Sequence, residues 1–150
     1  MRIIDLLNEE SINLNFKALS KCQAIDQLVD LMSNTGVLKD KNQFKKAILD
    51  REALSSTGIG DGIAIPHGKT KAVKKARLVA AVSTVGIEYE SLDGTLANLF
   101  FMIAVPDGGN DLHLELLARL STILMDESFK KSLIKCKNPK EFLRLIYNKE

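Results

Sequence analysis

Tryptophan is absent from the 150 residues, and cysteine, histidine and proline are scarce, with two, two and three copies. Each scarcity excludes something. Cys22 and Cys136 stand alone inside helical patterns, so no disulfide framework is expected, and this usage fits a reducing cytosol. Two histidines and two cysteines without paired ligand spacing do not make a zinc site, and no metal or other cofactor is expected. No apolar run is long enough to cross a bilayer. The opening MRIIDLLNEES places acids soon after a short apolar stretch, which is not the pattern of a secretory signal; a cytoplasmic location is expected. A formal net charge of +2 is too small to imply nucleic acid. The basic run KTKAVKKAR (69–77) has no aromatic platform for bases beside it, so it reads as a solvated face able to steer an acidic partner.

The remaining composition, 45% hydrophobic and 27% charged, is that of a globular chain, and without repeats or linkers we read 1–150 as a single domain. INLNF (12–16) alternates like a half-buried strand. Ser20, with Gln23 as capping-box partner, opens a helix with the stripe Ile25, Leu28, Val29 and Met32, and Gly36 lies just past its end. A second helix from Asp40 to about Glu52 turns Phe44, Ala47 and Ile48 inward. IAIP is a short buried strand stopped by proline. LVAAVSTV (78–85) and ANLFFMIAV (97–105) are nearly continuous apolar runs, expected in the middle of a covered sheet. Asn110 can cap a helix with Leu114, Leu117, Leu120 and Leu124 on its apolar side. Asp126 can cap another with Phe129 and Leu133 inward, and NPKE (138–141) is a strong third start. Helices at both ends with strands between them imply a mixed α/β layer fold.

The question the chain raises lies in GIAIPHGKT (62–70), where a buried strand runs into Pro66-His67-Gly68. Proline fixes its own φ and glycine adds no bulk, so the imidazole sits on a constrained backbone with open space beside it. SSTGIGDG (55–62) enters the same strand, and its backbone N–H groups, with Ser56 and Thr57, could form an anion-binding concavity. His113 falls near the start of the helix after Asn110, where the N-terminal dipole attracts anions. A neutral imidazole can attack phosphorus, and the transferring group then needs fixed positive partners. Arg51 is the candidate cation, since its planar fork suits phosphate oxygens. Other motifs fail. HGKT would end a P-loop only with glycine at Ile63, GIGDGI lacks the third glycine of a dinucleotide fingerprint, and no G-x-S-x-G occurs. Asp107, Asp111 and Glu115 read as helix-start acids.

EALSSTGIGDGIAIPHG (52–68) resembles the active-site signature of the type-2 IIA domains of the bacterial phosphoenolpyruvate-dependent sugar phosphotransferase system, the fructose, mannitol and nitrogen-regulatory class. Glu52, Ile59, Gly60, Ile63, Ala64, Ile65, Pro66, His67 and Gly68 fill its slots, and SLDGTLANLFFMIAVP and NDLHLELLARLSTIL extend the match over most of the chain. The resemblance implies a mixed, mostly parallel five-stranded sheet covered by helices on both sides. It implies that His67 is the phospho-accepting nucleophile, with Arg51 and His113 stabilising the phosphoryl group. The donor would be the histidine-containing phosphocarrier protein and the acceptor a cysteine of a IIB component, feeding sugar uptake through the membrane component IIC. No IIB-like cysteine loop or membrane segment is visible, so those partners are expected on separate chains.

FFMIAVPDGGNDLHLELLARLS looks closest to the fructose branch. A nitrogen-regulatory protein, whose phosphorylation state sets which regulatory partner it binds, is the alternative. The sugar and the oligomeric state stay open, since no apolar surface stripe argues an interface.

Overall fold

The computed structural model describes residues 1–108 and 110–150. The strands are β1 (Ile12–Asn13), β2 (Gly58–Gly60), β3 (Ile63–Ala64), β4 (His67–Lys69), β5 (Arg77–Ile87) and β6 (Ala97–Val105). The helices are α1 (Lys21–Asn34), α2 (Lys41–Leu54), α3 (Leu112–Ile123), α4 (Glu127–Ile134) and α5 (Pro139–Lys149), and two 3-10 turns precede β1.

The sheet runs in the order β1-β5-β6-β3-β2, with β4 also on β6. By segment, three pairings are parallel (β1 with β5; β3 and β4 with β6) and two are antiparallel (β5 with β6; β2 with β3). Six segments make five rows. Ile63 faces Leu99 and His67 faces Ile103 at the same offset along the chain, so β3 and β4 are one interrupted row. The proline therefore does not stop the strand, as the sequence suggested. Pro66 has no N–H to give, but its carbonyl still accepts from Ile103 N at 2.9 Å, and the ladder resumes at the next residue.

β6 is covered on both sides, which is why its sequence shows no polar alternation. Leu99, Phe101, Ile103 and Val105 pack against α3, α4 and α5 through Leu116, Leu120, Phe129, Leu133, Phe142 and Ile146. Phe100, Met102 and Ala104 pack against α1 and α2 through Ile25, Leu28, Met32, Phe44 and Ile48.

The caps follow side-chain chemistry. Ser20, Asp40, Asp126 and Asn138 each accept the N–H three residues on. Gln23 reaches back to Leu19 N at 3.0 Å rather than to Ser20, so the reciprocal half of the expected box closes one residue early. α3 departs from expectation. Its N-cap residue is Asp111, not Asn110, and its buried stripe is Leu116, Leu120 and Ile123, while Leu114 is exposed. Leucines stand on several faces of this helix, so their spacing alone could not pick the face that meets the sheet.

Candidate active site

Three elements meet at the C-terminal end of the β3–β4 row. α2 brings Arg51 on its last turn, β4 begins with His67, and α3 brings His113 on its first turn. With Asp50, Leu54, Lys69 and Leu114 they line one open cleft of about 460 Å³. The three residues picked out in the sequence are therefore neighbours, although they come from separate parts of the chain.

His67 is held by its own strand. Nδ1 lies 3.0 Å from the carbonyl oxygen of Ile65, two residues back. A carbonyl can only accept, so Nδ1 carries the proton and Nε2 keeps its lone pair. Nε2 has no hydrogen-bond partner among the described residues. The ring is half-buried, and burial is the main cause that moves its pKa below the ordinary histidine range. The Ile65 hydrogen bond and Glu52 act the other way, while Arg51 and His113 add to the lowering. The imidazole is thus kept neutral in near-neutral water, with one nitrogen available.

The ring of His113 lies 6.3 Å from that of His67, centre to centre, inclined by 30°. Its Nδ1 is shielded from solvent and makes no hydrogen bond among the described residues. Arg51 Nη1 donates to the Ser55 carbonyl at 2.8 Å, which tethers one arm of the guanidinium and leaves its other N–H groups uncommitted among the described residues. Lys69 Nζ donates to the Asn110 carbonyl at 2.9 Å, joining β4 to the segment that leads into α3.

The structure revises the reading of the backbone beside His67. Gly68 does not open space beside His67. A Cβ there would stand 3.1 Å from Phe44 Cε1 and 3.2 Å from Ile48 Cδ1, so the glycine lets β4 lie close on α2. In the 55–62 segment several of the donors expected to face an anion are already paired within the protein. Thr57 N and Oγ1 donate to Glu52, Gly58 N donates to Ser56 Oγ at 3.1 Å, and Asp61 N donates to Asp93 at 2.8 Å. Lys69 was read as part of a solvated run, yet it lines the cleft. Its only sequence signal is its place two residues after His67 on a strand, which puts both side chains on one face.

The chain is similar to known proteins over nearly its whole length. The family model for the phosphoenolpyruvate-dependent sugar phosphotransferase system, EIIA 2, matches residues 5–149. The chain is 44% identical over 97% of its length to the fructose-specific EIIABC component of Bacillus subtilis, of which it spans 23%. It is 39% identical over 86% of its length to the fructose-specific EIIA component of Haloferax volcanii, of which it spans 84%. Among solved structures, the nitrogen regulatory protein IIA-Ntr of Neisseria meningitidis superposes with a TM-score of 0.88 at 27% identity, covering 96% of this chain and 98% of that one. The mannitol enzyme IIA of Escherichia coli, in its complex with phosphorylated enzyme IIB, gives 0.81 at 28%, covering 95% and 97%. Fold and family match define an α/β domain of the phosphotransferase-system IIA class. The chain belongs to the EIIA 2 family of the phosphoenolpyruvate-dependent sugar phosphotransferase system, and it is a phosphotransferase component.

Proposed function

We propose that residues 1–150 act as one EIIA domain in the cytoplasm, a phosphoryl carrier with His67 as its acceptor. Nε2 of His67 attacks the phosphorus carried by the histidine phosphocarrier protein. A nitrogen–phosphorus bond forms at Nε2 as the donor's own nitrogen–phosphorus bond breaks. In the second step that bond breaks while a sulfur–phosphorus bond forms on a IIB cysteine, and the neutral imidazole returns. The membrane component IIC is reached only through IIB. Arg51 meets the charge on the equatorial oxygens, and His113 offers an N–H to the same group.

One observation carries this reading: the Ile65 carbonyl occupies Nδ1 and leaves Nε2 free in the cleft that Arg51 and His113 share. The IIB acceptor is supported by the mannitol IIA–IIB complex, and the fructose branch by the two fructose-specific relatives. The likeness to a nitrogen regulatory protein supports a second reading, in which phosphorylation at His67 selects a regulatory partner.

The test is intact mass. The chain is mixed with phosphoenolpyruvate, the system's first enzyme and its histidine phosphocarrier, and a fructose-type IIB is then added. Gain of one acid-labile phosphoryl group, lost again to IIB, is the expected result. Gain without loss favours the regulatory reading. His67→Ala should gain nothing while its circular dichroism stays that of the parent. An acid-labile phosphoryl group on that variant overturns the assignment.

A further inference from the structure

Glu52 follows Arg51 in the chain, but it faces away from the cleft into a set of donors. Lys21 Nζ reaches its Oε1 at 3.0 Å, and Thr57 N donates to the same oxygen at 3.0 Å. Tyr89 Oη donates to Oε2 at 3.3 Å, and Thr57 Oγ1 makes a short contact with that oxygen. Four donors from α1, the 55–57 segment and the β5–β6 connection thus converge on one carboxylate, whose side chain is 6% exposed. Lys21 also touches Ser56 Oγ at 3.4 Å and lies over the Tyr89 ring, 4.9 Å from its centre.

The arrangement leads to His67 by named bonds. Glu52 fixes Thr57 at both its N–H and its hydroxyl. The Thr57 carbonyl accepts Ile65 N at 3.0 Å. The Ile65 carbonyl accepts His67 Nδ1. Ile65 is therefore gripped at its N–H by the segment that Glu52 holds and uses its carbonyl to orient the imidazole. We propose that Glu52, anchored by Lys21, is the positioning residue of the site: it holds Thr57 against the β3–β4 row so that His67 presents Nε2.

The charge of Glu52 is secondary to this chain of bonds, because Lys21 stands 3.0 Å from the carboxylate. Arg51, Lys69 and His113 face His67 with positive or neutral groups, and Asp50 in the cleft is already paired with Lys46 at 2.8 Å. The Ile65 hydrogen bond opposes the lowering of the His67 pKa, and Glu52 adds to that opposition to a smaller degree.

Three variants separate position from charge. Glu52→Gln keeps the length and removes the charge. Glu52→Asp keeps the charge and withdraws it from Thr57. Thr57→Val removes one grip and retains the backbone donor. The first readout is the histidine ring in nitrogen-detected NMR, taken on unphosphorylated protein. It gives the tautomer and midpoint of His67 and needs no phosphoryl chemistry. Glu52→Gln should move the midpoint down while Nδ1–H persists. Glu52→Asp should change the tautomer balance, and Thr57→Val should do the same to a smaller degree.

The second readout is the rate of phosphoryl gain, which rests on the acceptor role of His67. Glu52→Asp should be slower on the order of tenfold to a hundredfold, as loss of an orienting partner usually is. A His67 midpoint and tautomer equal to the parent's in both Glu52 variants, each folded, overturns the proposal. If the parent itself gains no phosphoryl group, it is the carrier reading that fails, and the NMR arm still decides the role of Glu52.

Discussion

Arg51 and Glu52 are adjacent on the last turn of α2 and sit in opposite kinds of environment. Glu52 is nearly sealed and meets four donors, and Lys21, itself only 15% exposed in its side chain, completes the pair. Arg51 keeps free N–H groups in an open cleft, beside a His67 nitrogen and a His113 nitrogen that have no partner among the described residues. A buried charge without full partners is costly, so the network side is saturated. A site that must receive a charged group has to leave donors unsatisfied until the group arrives. One turn of helix thus serves a closed support and an open receptor.

The sharpest way to break this comparison is to change the open side. Arg51→Ala should slow phosphoryl gain by about 10²–10³, the usual cost of removing one preorganised donor to a developing anion. Its urea midpoint should stay near the parent's, because the lost tether to Ser55 is exposed. A rate within twofold of the parent would show that the guanidinium does not meet the phosphoryl group.

The closed side should answer in stability. Lys21→Met removes the counter-ion of a buried carboxylate and should destabilise by about 3 kcal/mol, read from urea unfolding at pH 7. An unchanged midpoint would mean that the network is no tighter than a surface pair. His113→Ala comes next. It should slow transfer on the order of tenfold and retain the acceptor, checked by quenched-flow mass analysis with one donor equivalent.

Acidification sharpens the contrast further. The His67 pKa is depressed by burial, so the neutral imidazole persists to lower pH than for an ordinary histidine near roughly 6.5. Initial phosphoryl uptake should be flat above that value and fall as pH drops through the depressed pKa. The stability sign is the same. A group whose folded pKa is lowered stabilises fully above its unfolded value, and that contribution is lost as pH falls through the folded one. A rate that rises on acidification would contradict a neutral nucleophile.

These two environments were unequally legible in the sequence. His67 stood out because an apolar run met proline, histidine and glycine, a local pattern that needs no tertiary knowledge. Arg51 and His113 were named as candidates, but their meeting depends on α2 and α3 both closing on the end of one strand row. Of the closed side only Glu52 was marked, as the first slot of the signature, and its partners were hidden. Lys21 and Tyr89 are far along the chain from Glu52, and an acid in a helical segment reads as solvated unless its partners are known. Lys69 was misjudged for the same reason, since a run of cations looks like surface whichever of its members turns toward a cleft. The sheet was clearer. Two doubly covered apolar runs marked its centre, while Pro66 hid the continuation of its row because a missing N–H looks like an end.

Gly68 tests whether the receptor depends on the closeness of β4 to α2. A methyl group there would press on Phe44 and Ile48 at 3.1 and 3.2 Å, distances that neighbours can relieve only by giving a few tenths of an ångström. Both neighbours are fully buried, so the relief comes either from β4 and α2 moving apart or from the two side-chain tips shifting within the core. Gly68→Ala should therefore cost about 1 kcal/mol, at the mild end of overpacking, and Gly68→Val more. The informative quantity is how the loss divides. If β4 shifts, His67 moves relative to Arg51, and the rate of phosphoryl gain falls by more than the stability change would suggest. If the tips of Phe44 and Ile48 turn aside instead, stability drops slightly and the rate holds. The first outcome would make Gly68 a distance-setter for the open cleft, and the second would confine it to packing beneath the strand.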